Sequence, residues 1–267
     1  MFNTHFGFTA TPFAKSLAIN DVLLTSGVKE LHARLQHAVR ERGIALVTGD
    51  IGSGKSTAVR AFLATLDTNR NLIIPIAAPI ASPAALYRTL LLALNERPPF
   101  GAAAQLAALR AVLNDAINNR RIPVIVLDEA HLLDPTIIDP LRILLASQLD
   151  SLSLASLILI GQSDLRRTLQ LNALQAFAQR ITVRACLDPL GLEAALGYIS
   201  HHLNIAGADA SVLLAADALQ RIADFAQGNP RRINQIVTAA LLAAAADKKR
   251  IVDDTAVRRA INDLEHD

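Results

Sequence analysis

Apolar residues in this chain follow two rhythms, and the place where one gives way to the other divides it. Residues 28–42 carry Val28, Leu31, Leu35 and Val39 on one face, the spacing of an amphipathic helix. Ile44-Ala45-Leu46-Val47-Thr48 is a short continuous apolar run, which reads as a buried strand, and Ser56 to Leu66 reads as a helix. Leu72 to Ala77 predicts a second strand. A helix follows over Ser82 to Leu94, with Ser82 as cap and Pro83 in the first turn. Pro98-Pro99-Phe100-Gly101 breaks the chain before an Ala/Leu helix that runs to about Asn118. Pro123 to Leu127 predicts a central parallel strand, 136–149 a helix, Leu157 to Ile160 a further buried strand, and Ile181 to Val183 a short last one. Strands alternating with helices imply an α/β fold with a doubly wound parallel sheet.

After Pro189 the strand rhythm stops. Only helical stretches follow, at about 191–204, 211–227, 230–246 and 253–264, with Gly228-Asn229 as a break signal. The low-complexity stretch Ala239–Ala246 is apolar and reads as core helix. The expectation is an α/β domain over 1–188 and a small all-helical domain over 189–267. Met1 to Lys15 contains Phe2, Phe6, Phe8 and Phe13, half of the 8 phenylalanines, so this segment should pack against the domain. No internal repeat is visible.

Composition narrows the setting. With 52% hydrophobic residues in 267, a sizeable core is available. The single cysteine, Cys186, cannot form an internal disulfide, which suits a reducing cytoplasm. No apolar run reaches membrane-span length, and the N-terminus lacks a basic-then-apolar leader pattern, so a soluble, cytoplasmic protein is expected. Net charge is only +2, but the basic residues cluster: Arg120-Arg121, Arg166-Arg167, Arg231-Arg232, Lys248-Lys249-Arg250 and Arg258-Arg259. Clustered arginine suits phosphate recognition and equally suits ordinary helix faces.

The chemistry is concentrated at strand ends. Gly49-Asp50-Ile51-Gly52-Ser53-Gly54-Lys55-Ser56 fits the phosphate-loop pattern G-x-x-x-x-G-K-[ST] between a predicted strand and a predicted helix. Glycines let backbone N–H groups approach phosphate oxygens, and the helix N-terminus adds its dipole. On this reading residues 49–57, through Thr57, cradle a nucleoside triphosphate. Lys55 reaches the β- and γ-phosphates and the Ser56 hydroxyl ligates Mg²⁺. Asp128-Glu129 ends the buried strand about seventy residues on: Asp128 suits the metal, and Glu129 suits orienting and deprotonating the attacking water. Gln162, after Gly161 at the next strand end, is the candidate γ-phosphate sensor. Arg180, before the last strand, is the candidate finger toward a neighbouring subunit, with Arg166 and Arg167 as rivals. Arg231, opening a helix after Gly228-Asn229-Pro230, is the candidate for folding back onto the γ-phosphate, with Arg232 as the alternative. Asp128-Glu129-Ala130-His131 spells the letters of one helicase group, whose other motifs are absent; His131 reads as structural.

Together with Phe6-Gly7-Phe8, Pro12-Phe13, Leu132-Leu133, Leu165-Arg166 and Gln179-Arg180-Ile181, these motifs resemble the AAA+ ATPases over nearly the whole chain. The likeness is to the ExeA/GspA-like group, whose layout is shared with Orc/Cdc6 and the transposition helper ATPases. It implies a P-loop α/β ATPase domain with a helical lid, ATP rather than GTP, Mg²⁺, and a homo-oligomeric ring or filament closed by trans arginines. The sequence stops at the lid, whereas secretion members carry a membrane span and a cell-wall-binding domain beyond it. That favours similarity to short soluble helpers of the TnsC, IstB and MuB kind, which implies duplex DNA and a transposase as partners. Arg120-Arg121 and Lys248–Arg250 are then the phosphate-contact candidates. The alternative is a secretion-associated ATPase with a membrane partner. The paired acids and the helical lid disfavour a metabolic kinase.

Overall fold

The computed structural model describes residues 2–14, 17–146 and 153–265. Its elements begin with α1 (Phe2–Phe6), α2 (Ser26–Arg40), β1 (Ile44–Thr48), α3 (Lys55–Ala64) and β2 (Asn71–Ala77). Next come α4 (Pro83–Ala93), α5 (Ala102–Asn118), β3 (Ile122–Asp128), α6 (Pro135–Leu145), β4 (Ser156–Gly161), α7 (Asp164–Thr168), α8 (Gln175–Ala178) and β5 (Ile181–Cys186). The chain closes with α9 (Leu192–Ile205), α10 (Ala210–Leu213), α11 (Ala216–Ala226), α12 (Pro230–Ala246) and α13 (Asp254–Glu265). The end of the helix expected over 136–149 lies outside the described residues, as do Met1 and Lys15.

The strands form a parallel sheet in the order β2-β3-β4-β1-β5. Position in the sheet explains each strand's residues. β1 and β4 lie inside it, are buried at every position, and are apolar almost throughout. β5 lies at an edge and alternates, with Ile181, Val183 and Ala185 buried and Thr182, Arg184 and Cys186 exposed. β2 is the other edge, which accommodates Pro75 because only one side needs hydrogen bonds. Alternate residues feed two cores. Leu46, Ile125, Leu127, Leu157 and Leu159 pack with residues of α4, α5 and α6. Val47, Val124, Val126, Ile158 and Ile160 pack with α2 and α3 on the opposite face. This is a doubly wound α/β sheet.

Chain contacts define two units. One comprises Ser26–Ile51 and Lys55–Leu187; the other comprises Met1–Thr25, Gly52–Gly54 and Asp188–Asp267. Residues 1–25, expected within the 1–188 domain, group by contacts with the helical unit. Phe13 belongs to the core of the helical unit, and Phe2, Phe6 and Phe8 pack against that core. The stretch expected as one helix over 211–227 is two, α10 and α11. Between them Leu214 bridges Val252 in a short parallel pairing, and the Val252 N–H donates to the Leu213 carbonyl at 2.8 Å. That pairing between distant segments takes backbone groups a continuous helix would have used.

His202, on α9, lies within this helical core. Its ring stacks on Phe13 at 5.0 Å and meets Tyr198 at 4.3 Å, while Nε2 finds no hydrogen-bond partner among the described residues. Burial first, then the neighbouring His201, push its pKa down to about 4, against a weaker opposite pull from Asp21. Unfolded, it titrates near 6.5. Between those values only the unfolded chain takes up the proton. Stability is therefore complete above pH ~6.5 and falls as pH drops toward ~4, by up to about 3 kcal/mol. His202→Phe should flatten that part of the profile. Melting curves at pH 7.5 and 5 would check this, and equal slopes in both proteins would remove the role.

Candidate nucleotide-binding and catalytic site

β1 ends at Thr48, and the chain turns through the glycine loop into α3. Gly52 and Gly54 have φ of +81° and +89°, where any side chain costs ~1 kcal/mol or more. A Cβ on Gly52 would also stand 2.5 Å from the Arg231 Cβ, whereas at Gly54 nothing lies within 4 Å, so the backbone there borders open space. Lys55 donates from Nζ to the carbonyls of Gly49 (2.9 Å) and Asp50 (2.7 Å), which hold the ammonium at the loop. Asp50, Ile51 and Ser56 are exposed, Ser53 is buried, and Thr57 is half-buried in the first turn of α3.

β1 and β3 are not neighbours, since β4 runs between them. Even so, the loop and the acid pair meet across the strand ends. The Ser56 hydroxyl donates to Asp128 Oδ1 at 3.1 Å, and the same oxygen accepts the Glu129 N–H at 2.8 Å. A hydroxyl beside one carboxylate suits Mg²⁺, which takes few protein oxygens and fills its octahedron with water and phosphate. These residues fit a magnesium nucleotide.

Glu129 has a left-handed backbone, with φ 53° and ψ 34°, and opens the short turn Ala130–Leu132. That turn brings His131 back beneath it. His131 Nδ1 lies 3.4 Å from Glu129 Oε2, in ion-pair range but without an aligned hydrogen bond. On its other side His131 Nε2 meets the amide nitrogen of Gln162 at 2.8 Å. Gly161 permits this approach: a Cβ there would come within 3.1 Å of the His131 backbone nitrogen and 2.8 Å of Leu165 Cδ2. The sequence marks Glu129 and Gln162 as candidates and reads His131 as structural, whereas the fold places the three side by side. Nothing in the one-dimensional spacing links residues 31 positions apart.

The arginines are distributed differently. Arg180 precedes β5, level with Ile44 at the opposite end of β1 from the loop, about 15 Å along the strand. It is not assembled with Lys55, Asp128, Glu129 and Gln162. Arg166 and Arg167 lie in α7, just after β4, both exposed, and Arg167 pairs with Asp164 at 3.2 Å. In the helical unit Asn229 Oδ1 caps α12 by accepting from the N–H groups of Arg231 (3.0 Å) and Arg232 (3.3 Å). The Arg231 N–H also donates to the Gly52 carbonyl at 3.2 Å. Several basic clusters are already engaged. Arg121 bonds the carbonyls of Thr68 and Asn71, Lys249 pairs with Asp253 at 2.6 Å, and Arg250 donates to the His5 carbonyl at 2.7 Å.

Residues 37–169 match the AAA domain family. That span contains the glycine loop, the acid pair and Gln162. The chain carries an AAA domain, a P-loop ATPase module. Over 253 residues it is 31% identical to general secretion pathway protein A of Aeromonas hydrophila, covering 92% of this chain and 45% of that protein. The chain thus spans under half the length of this curated relative. Its fold is similar to that of Cdc6p from Pyrobaculum aerophilum, with TM-score 0.71, 18% identity, and coverage of 98% of this chain and 70% of the other. It is also similar to Aeropyrum pernix ORC1, solved in complex with DNA, with TM-score 0.67, 21% identity, and coverage of 92% and 67%. The AAA fold implies ATP and Mg²⁺ as cofactors. Among the described residues no helix is long and apolar enough to cross a membrane.

Proposed function

We propose that this AAA module hydrolyses ATP as part of an ExeA/GspA-type assembly that acts with a membrane-associated partner in secretion. The observation that carries the ATPase reading is the 3.1 Å contact from Ser56 to Asp128, which unites phosphate loop and acid pair. Residues 49–57 bind the phosphates, Lys55 neutralises them, and Ser56 and Asp128 hold Mg²⁺. Bound magnesium nucleotide supplies the electrophilic phosphorus and the charge-neutralising cation. Glu129 orients water and accepts its proton, and Gln162 contacts the γ-phosphate. Arg231, or Arg232 beside it, serves the same subunit's nucleotide. Arg180 serves a neighbour's, with Arg166 and Arg167 as rivals. Its distance along β5 from its own loop supports a trans role, and hence a homo-oligomer.

The secretion reading rests on the 31% identity to a protein named for that pathway. Resemblance of motifs alone favours DNA-dependent regulation of transposition. The engagement of Arg121, Lys249 and Arg250 within the chain leaves that reading less support. A specific test measures fluorescence polarisation of labelled duplex with ATP and Mg²⁺ at low salt, alongside ATP turnover with solubilised inner-membrane fractions. Stimulation by the membrane fraction without duplex binding is expected. Tight ATP-dependent duplex binding would restore the transposition reading instead. In the same assay Arg180→Ala should lower turnover only at concentrations where the parent assembles; a defect at every dilution would argue against action in trans.

A further inference from the structure

The side chain most directly in contact with the proposed base is one the ATPase reading leaves idle. We propose that His131 is a positioning residue that ties Gln162 to Glu129, so that the strand-end glutamine and the base act as one hydrogen-bonded unit. This rests on the reading of Glu129 as the base. A side-chain amide nitrogen only donates, so at 2.8 Å from the Gln162 amide nitrogen His131 Nε2 must be the acceptor. A neutral ring then carries its proton on Nδ1, the atom that faces Glu129 Oε2 at 3.4 Å. With the amide turned over, a neutral ring would donate from Nε2 and turn its Nδ1 lone pair toward a carboxylate, a repulsive pairing. The arrangement that satisfies Gln162 is therefore also the one that offers Glu129 a donor.

The geometry around the ring supports the same conclusion. The His131 side chain is 11% exposed and Glu129 is 53% exposed, so the histidine is the fixed member and the glutamate the free one. Nδ1 is buried and makes no hydrogen bond among the described residues, and this carboxylate lies within ion-pair range of it. An unaligned contact at 3.4 Å tightens to a hydrogen bond with a small rotation of the exposed Glu129 side chain, which limits where its oxygens rest. The close approach at Gly161 holds the turn against the end of β4, so the position of Gln162 is transmitted to the base through one ring.

The test compares His131→Phe, which keeps a planar ring without ring nitrogens, with His131→Gln, whose amide both accepts and donates. Full-chain protein is assayed for ATP turnover, fluorescent-nucleotide affinity and melting temperature. His131→Phe should lose about ten-fold in kcat, with nucleotide affinity and melting little changed, because a slightly misplaced base costs rate rather than binding. His131→Gln should recover most of that loss, and Gln162→Ala added to His131→Phe should cost little more, as expected of residues in one unit. Parent-like turnover in His131→Phe, or a loss in both variants that tracks melting temperature, overturns the proposal. Glu129→Gln separates the layers. If it is inactive while His131→Phe is fully active, the positioning role alone fails. If Glu129→Gln itself turns over normally, the base assignment fails and takes this inference with it.

Discussion

Glu129→Gln should bind ATP as the parent does and hydrolyse it ~10²-fold more slowly or worse. The substitution is nearly isosteric and keeps the side chain beside His131. It removes the one property the role needs, a carboxylate able to take the water's proton. Substrate binding is unaffected because Glu129 does not touch the loop: its backbone N–H goes to Asp128 Oδ1, and its Oε2 faces His131. Single-turnover hydrolysis, with nucleotide affinity measured separately, checks this. Turnover within about three-fold of the parent would place the base elsewhere.

Lys55→Ala should abolish nucleotide binding. Its ammonium is held at the loop by the carbonyls of Gly49 and Asp50, where the phosphate charge would gather. Each charge-assisted hydrogen bond contributes about 1.5–3 kcal/mol, so losing two of them to phosphate weakens binding by about a hundred-fold or more. The loop itself should persist, because Gly52 and Gly54 set its path and α3 packs Ala58, Val59 and Phe62 into the core. Fluorescent-nucleotide titration with a melting curve distinguishes lost affinity from lost fold. Binding near the parent's value would remove Lys55 from its assigned place.

The parts of this site that lie close together in sequence were legible from it. The glycine loop is a local spacing between two hydrophobic signals. The acids were visible because Asp128-Glu129 interrupts an otherwise apolar run, and Gln162 because it follows Gly161 at another such end. Contacts that join distant segments were not legible. The His131–Gln162 pair depends on β3 and β4 lying side by side, and the split between α10 and α11 depends on Val252 reaching Leu214. β5 runs on to Cys186 because Arg184 and Cys186 point outward at an edge, where alternation hides a strand from a search for apolar runs. The phenylalanines of the first residues announced that the segment packs, but not that its host is the helical unit.

Residue 129 adopts a backbone shape in which glycine or asparagine would rest more comfortably than glutamate. Ranked by thermal robustness alone, a library at this position would favour one of those replacements and discard the carboxylate. Heat resistance and turnover therefore pull the site in opposite directions, and a stabilised version of this enzyme has to find its extra degrees elsewhere.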